Sequence, residues 1–236
     1  MTDAPAAYST VPRLADIAGF VHGFGGAGWS EADFLAFAAS RGLEPVIMRQ
    51  LHSDTLHRLA EAPAGKLEGD GLMTDVPGLL LVIRTADCLP VLLMDEKNRA
   101  VAAVHCGWRG TEKRILEKAV EAMGRTYGSK PGEMLAALGP CIGSACYEVG
   151  PEVRDSFLRA GFPLGVLAEA PGHPEKSLLD LRAANIWLLG GMGFKKDHIL
   201  DSGSSCTHCE PDLLSYRRNP GDSRRMYNFI GFRLGS

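Results

Sequence analysis

One cysteine and two histidines close apolar runs of this chain. His52 ends "EPVIMRQLH", Cys88 ends "GLLLVIRTADC", and His105 stands near the end of "AVAAVHC". Strand ends that run into loops can aim side chains at a common point, so three such residues could converge without being close in sequence. A thiolate with two imidazoles is a zinc ligand set, and it leaves the fourth tetrahedral position to water or substrate, which is the mark of a catalytic site. Cys88 and His105 would equally serve as nucleophile and base of a metal-free cysteine hydrolase. Spacing alone does not bring His52 to Cys88, and cysteine is among the most buried residue types, so a purely structural role for all three stays open here.

Anion chemistry is the second signal. In "GWRGT", Gly107 and Gly110 free the backbone around Arg109, whose guanidinium offers a fork of donors, and a helix beginning at Thr111 or a neighbour would add exposed amides. The alternative is Trp108 in the core and Arg109 in a surface ion pair. Arg49, three residues before His52, is the next candidate for the anion. Near the C-terminus "CTHC" sets Cys206 and Cys209 at C-x-x-C spacing around His208. A zinc knuckle needs a second pair at suitable spacing, so a loop with reduced thiols is expected. Cys141 and Cys146 of "GPCIGSACYEVG" read as a tight turn, Arg217 and Arg218 as structural, and His22 likewise.

The elements that must position these residues alternate between strands and helices. "SEADFLAFAASRGL" has Ser30 and Asp33 at capping-box spacing and is a helix that ends at Gly42. "LPVLLMD" and "AVAAVHC" flank the turn-rich "DEKN" and read as a hairpin. "TEKRILEKAVEAMGRTYG" is an amphipathic helix, and "GPEVRDSFLRAG" is another with Pro151 in its first turn. "LDLRAANIWLLGGMG" gives a helix, "EMLAALGP" and "RMYNFIGFRL" give strands, and the glycine- and proline-rich "AGFPLGVLAEAPGHPEKS" gives a surface excursion. Hairpins mixed with helices imply a mixed α/β sheet, and no repeat or linker divides residues 1–236 into more than one domain.

Composition limits the function. With 236 residues, 45% of them hydrophobic, the chain can bury a full core. A net charge of −3 and a pI near 6.2, without a basic block, argue against nucleic-acid binding. No segment approaches the ~20 apolar residues of a membrane span, and no secretion signal opens the sequence, so a cytoplasmic protein with reduced thiols is expected. The sequence shows no heptad and no apolar interface stripe, so a monomer is expected.

In their order, "QLHSD", "DGLMTDVPGLLLVIRTADCLPVLL", "AVHCGWRG", "LGPCIGSACYEVG" and "CTHCEPDLLSYRR" resemble the YfiH-like family, long labelled laccase-domain or multicopper polyphenol oxidase proteins. The resemblance runs from about residue 48 to the C-terminus. It implies two mixed β-sheets packed together with helices outside, and metal ligands at His52, Cys88 and His105. It also implies activity on purine nucleosides: phosphorolysis of adenosine, inosine and methylthioadenosine, or deamination of adenosine. Editing of peptidoglycan precursors is a further association. The oxidase label fits less well, because a laccase centre needs several coppers and many histidines, and this chain has seven histidines in all. Zinc is therefore expected over copper. For deamination Asp87 is the carboxylate nearest in sequence to carry the proton while water attacks the purine C6; for phosphorolysis Arg109, with Arg49, would hold phosphate for attack on C1′. One departure from the family stands out: after "VHGF", "GGAGWSEADF" leads almost directly into the first long helix, without the arginine- and asparagine-bearing segment of many relatives.

Overall fold

The computed structural model describes residues 7–203 and 206–234. Two sheets stack face to face. The first has five strands in the order β1 (Tyr8–Ser9), β2 (Phe20–Gly25), β14 (Met226–Phe232), β6 (Leu79–Thr85) and β3 (Glu44–Ile47). The second has six: β13 (Ile199–Asp201), β9 (Leu135–Leu138), β7 (Leu89–Asp95), β8 (Ala100–Cys106), β5 (Gly71–Thr74) and β4 (Leu56–Leu59). Both are mixed, since β3–β6, β4–β5 and β9–β13 are parallel pairs within otherwise antiparallel sheets.

The two-residue period of a strand explains the layering. In β6, Leu79, Leu81 and Ile83 enter the core between the sheets, where they join Leu92, Met94, Val101 and Ala103 of the second sheet. Leu80 and Val82 point the other way, onto Phe34 of helix α2 (Glu31–Ala39). In β7 and β8 the remaining set, Leu89, Val91, Leu93, Ala102 and Val104, packs outward on α4 (Ile115–Tyr127), α5 (Pro151–Arg159) and α6 (Leu181–Gly191). Strands buried on both faces have to be continuously apolar, and "LLLVI" and "LPVLLM" are. Helix α1 (Pro12–Ala15) buries Leu14 against the same inter-sheet core. Among the described residues no helix is long and apolar enough to cross a membrane.

Local signals act as expected at several ends. Ser30 and Asp33 form a reciprocal capping box, Asp180 caps α6 by accepting from Ala183 N, and α4 ends on Gly128 in the left-handed region. Two expectations are corrected. The segment read as a surface excursion does lie largely at the surface, but it is ordered as β11 (Leu167–Ala170) and β12 (His173–Leu179), a hairpin that turns at Gly172 (φ +78°) and forms, with β10 (Glu148–Val149), a three-stranded sheet. Pro171 and Gly172 form the two-residue turn, where Gly172 supplies the positive φ required, and Pro174 stands in the part of β12 that β10 does not pair with. The helix expected from Thr111 onward begins earlier, at α3 (Trp108–Glu112) with Gly107 as N-cap, and is broken from α4 by Arg114 in the left-handed region (φ 62°).

Candidate functional site

Sheet topology carries Cys88 and His105 together. β6 lies in the first sheet and β7 in the second, so the chain crosses between them through Ala86, Asp87 and Cys88 at one end of the stack. The β7–β8 hairpin then pairs Pro90 with His105, which brings the end of β8 beside Cys88. His52 reaches the same point from the loop after β3. The ligand atoms of His52, Cys88 and His105 all lie within 4.8 Å of one another, and the two imidazole centroids are 5.0 Å apart.

One carboxylate organises this cluster. Asp70, immediately before β5, is fully buried and accepts from His105 Nδ1 at 2.7 Å. Its two oxygens also receive the backbone amides of Leu51, His52 and Ser53 and the Ser53 hydroxyl. That wrapping holds His52 in the left-handed region (φ 57°), a conformation that a histidine rarely adopts unless its surroundings impose it. The bond to Asp70 fixes the His105 tautomer and leaves Nε2 as the ring nitrogen available to a ligand. Burial alone would raise the Cys88 thiol, but the charges and hydrogen bonds of His105 and His52 outweigh it and bring the thiol down to about 6. For His105 burial pulls downward, and the neighbouring Cys88 and Asp70 override it, lifting the imidazole to about 9. Asp70 is held well below the usual carboxylate range: burial opposes this, and the bonds from His105 and Ser53 prevail. A thiol that ionises near neutrality beside two imidazoles, one of them oriented by a carboxylate, is a donor set that fits a zinc-type ion. Gly107 has to be small here, since a Cβ at that position would lie 3.0 Å from Cys88 Sγ and 3.3 Å from His52 Cδ2.

The cluster opens into a cleft of about 690 Å³ whose lining includes Arg49, Arg84, Arg109, Arg217 and Arg225 together with Trp108, Tyr147 and Tyr216. The arginines are not equivalent. Arg49 pairs with Glu68 at 2.8 Å, both side chains being largely exposed. Arg217 spends its guanidinium on the Glu148 carbonyl. Arg109 lies over the Trp108 ring at 4.5 Å and, among the described residues, has no carboxylate partner. Arg84 Nε is buried and has no hydrogen-bond partner among the described residues. Asp87 also lines the cleft, but each of its oxygens already accepts: Oδ1 from the Thr207 hydroxyl at 2.6 Å, Oδ2 from the Arg217 amide at 2.7 Å. Those bonds tie the strained Asp87 (φ 96°) to the C-terminal loop. Arg109 belongs to a helix of one turn and a half, so its guanidinium, more than the helix dipole, is what that segment offers an anion.

Other residues fall where the sequence suggested or where it gave no sign. His22 is buried with Nε2 accepting the Val11 amide, a structural role. Arg218 is structural too, donating to the carbonyls of Thr207, His208 and Glu210. Cys106, next to His105, faces the helix-side core, and burial pushes its thiol well above the ordinary value. Asp70, Arg84, Tyr147, Tyr216 and Arg225 carried no signal that singled them out; an aspartate between two glycines in "EGDGLM" is the one feature that could have drawn attention to Asp70.

Comparison with known proteins places these features in a lineage. The family described as "Multi-copper polyphenol oxidoreductase laccase" matches residues 32–233. A purine nucleoside phosphorylase of Deinococcus radiodurans is 44% identical over 172 residues, which are 73% of this chain and 64% of that protein. The adenosine deaminase RL5 of an unknown prokaryotic organism is 39% identical over 70% of this chain and 63% of its own length. The chain thus spans somewhat less than two thirds of either relative. The crystal structure of a hypothetical protein YfiH from Bacillus licheniformis superposes with a TM-score of 0.87 at 26% identity, covering 97% of this chain and 98% of that one.

Proposed function

The chain belongs to the laccase-domain family that includes YfiH and YlmD, and from that premise we propose that it is a zinc-dependent purine nucleoside phosphorylase, acting on adenosine, inosine or methylthioadenosine in the cytoplasm as a monomer. The observation that carries the reading is the opening of the His52–Cys88–His105 cluster into a cleft that combines arginine with aromatic walls. Arginine suits phosphate, and aromatic faces suit a purine.

His52, Cys88 and His105 would hold the ion, and when bound it supplies Lewis acidity beside the substrate. Asp70 fixes His105 and the His52 loop against it. Arg109, and Arg84 with its buried Nε, hold hydrogen phosphate so that one of its oxygens bonds to C1′; the C1′–N9 bond breaks, its electron pair leaves with the purine, and the base takes up the proton that the phosphate gives up. Trp108 and Tyr147 offer faces for the base and exclude water around it. Asp87 acts by holding the floor of the cleft, since both its oxygens are engaged.

A second reading has a specific support. The relative named adenosine deaminase makes hydrolytic removal of the 6-amino group a competing use of the same cleft. Incubating adenosine, inosine and methylthioadenosine with and without phosphate, with products resolved by mass, separates the two. Free base that forms only with phosphate supports phosphorolysis; inosine from adenosine supports deamination; intact nucleosides throughout would sink both and leave a Cys88–His105 hydrolase or a peptidoglycan-precursor editing role. Elemental analysis decides the ion: one equivalent of zinc fewer in Cys88→Ala than in the unaltered protein supports the assignment, and copper would restore the oxidase label.

A further inference from the structure

A second group of soft ligands lies outside this cleft, assembled from two loops far apart in sequence. Cys146 comes from the turn before β10, and Cys206, His208 and Cys209 come from the C-terminal loop. The ligand atoms of Cys146, His208 and Cys209 all lie within 4.8 Å of one another, with Cys146 Sγ and Cys209 Sγ 3.4 Å apart. Cys206 stands just outside that group of three; its Sγ accepts the Gly143 amide at 3.1 Å, from the same turn that carries Cys146, so it is the fourth donor nearest to hand.

We propose that Cys146, Cys206, His208 and Cys209 bind one zinc ion, a structural site that fastens the C-terminal loop to the 141–147 turn. The ligand types are those of a closed Cys₃His centre, in which sulfurs around one ion at a Zn–S distance of ~2.3 Å stand about 3.8 Å apart. The observed 3.4 Å is close to that spacing and well beyond the ~2.05 Å of a disulfide. Hydrophobic burial does not account for the cluster: Cys209 is exposed and Cys146 and Cys206 are half-buried, whereas free cysteines that serve only as small apolar residues lie inside, as Cys106 does. Hydrogen bonds hold the scaffold of these ligands together. The Cys209 and Glu210 amides close onto the Cys206 carbonyl, Arg218 pins the carbonyls of Thr207, His208 and Glu210, and Thr207 N bonds to the Cys141 carbonyl across the two loops. The second pair that C-x-x-C spacing lacks in sequence is thus supplied in part by Cys146, 60 residues before Cys206.

The placement gives the ion a task. Thr207, between the ligands Cys206 and His208, donates its hydroxyl to Asp87, which bounds the cleft. An ion across the two loops would hold that floor without touching substrate, and it does so whether or not the proposed phosphorylase reaction is correct.

The Cys88→Ala chain isolates this site, because it removes the thiolate of the cleft. Loaded with cobalt(II) under anaerobic, reducing conditions, it should bind about one equivalent with a sulfur-to-cobalt charge-transfer absorption, and adding Cys146→Ser and Cys209→Ser should abolish that band. Zinc analysis is the companion measurement should Cys88→Ala fail to fold: the unaltered protein should carry about two equivalents, and the Cys146→Ser, Cys209→Ser protein about one together with a lower Tm. The proposal is overturned if the Cys88→Ala chain shows no thiolate band, if the band survives loss of both cysteines, if zinc content is the same with and without them, or if a Cys146–Cys209 disulfide is found in protein kept free of oxidant. None of these outcomes depends on nucleoside turnover.

Discussion

Asp70 accepts the His105 Nδ1 proton at 2.7 Å while the amides of residues 51–53 point at the same carboxylate, so one buried side chain orients both histidines of the cluster. Every neighbour of that carboxylate is a donor. Asp70→Asn would set an NH₂ against at least one of them, loosening the His52 loop and the His105 ring together. We expect metal affinity at the Cys88 site to fall about 10- to 100-fold, as is typical when such a supporting partner is lost. Competition against a chelator of known affinity measures it, and an unchanged affinity would show that the loop holds its shape without the charge.

Asp87→Asn distinguishes a positioning residue from a proton carrier. The change puts a donor where the Thr207 hydroxyl or the Arg217 amide now donates, at a cost of about 1–3 kcal/mol for a buried unmatched pair. Positioning predicts a lower Tm and a raised KM for nucleoside, with a kcat–pH profile of unaltered shape. A kcat collapse at unchanged Tm, with one limb of the profile gone, would instead make Asp87 the proton carrier.

How much of this was readable beforehand depends on the range of the interaction. The capping box of α2, the β7–β8 hairpin and the apolar double-sided strands rest on contacts a few residues apart, so "SEAD", "DEKN" and "LLLVI" suffice to reveal them. The cluster itself is legible as three residue types at strand ends, but that they meet depends on β6 and β7 lying in different sheets, which no local pattern encodes. Asp70 has no local signature because its role comes from pairing β5 with β8, which sets it beside His105. The β11–β12 hairpin is masked in sequence by glycine and proline, of which Pro171 and Gly172 serve its turn. Cys146 and Cys209 looked like separate loops because 63 residues divide them.

His22 makes acid stability a readout of the first sheet. Burial lowers its imidazole from 6.5 to about 4, and the neutral ring accepts the Val11 amide. The unfolded chain takes up this proton first as pH falls, so the contribution is whole above about 6.5 and is lost progressively down to about 4. A shift of that size corresponds to about 3 kcal/mol. Urea unfolding at pH 7 and pH 4.5 should therefore show a smaller loss of stability for His22→Gln, which keeps an acceptor for Val11 but has no proton to gain, than for the unaltered chain. Equal losses would mean that other groups govern the acid limb.

Arg109 and Arg49 were both expected at the anion, and the structure gives them different surroundings. Arg49 is 70% exposed and bound to Glu68, a surface pair whose loss costs little. Arg109 lines the cleft over Trp108 and, among the described residues, has no carboxylate to neutralise it, so its charge is available to phosphate. Removing a charge-assisted contact of that kind costs about 1.5–3 kcal/mol, or roughly ten- to a hundredfold in affinity or rate. Arg109→Ala should keep its metal and its Tm and raise the KM for phosphate by that factor, while any deamination, which consumes water in place of phosphate, should fall much less. Arg49→Ala should change the phosphate KM less than threefold, in keeping with the ~0–1 kcal/mol of an exposed pair. Equal phosphate KM values for Arg109→Ala and the unaltered enzyme would move the anion to Arg84, whose buried Nε has no other partner among the described residues. Loss of metal or a collapsed Tm in Arg109→Ala would make that arginine a part of the scaffold.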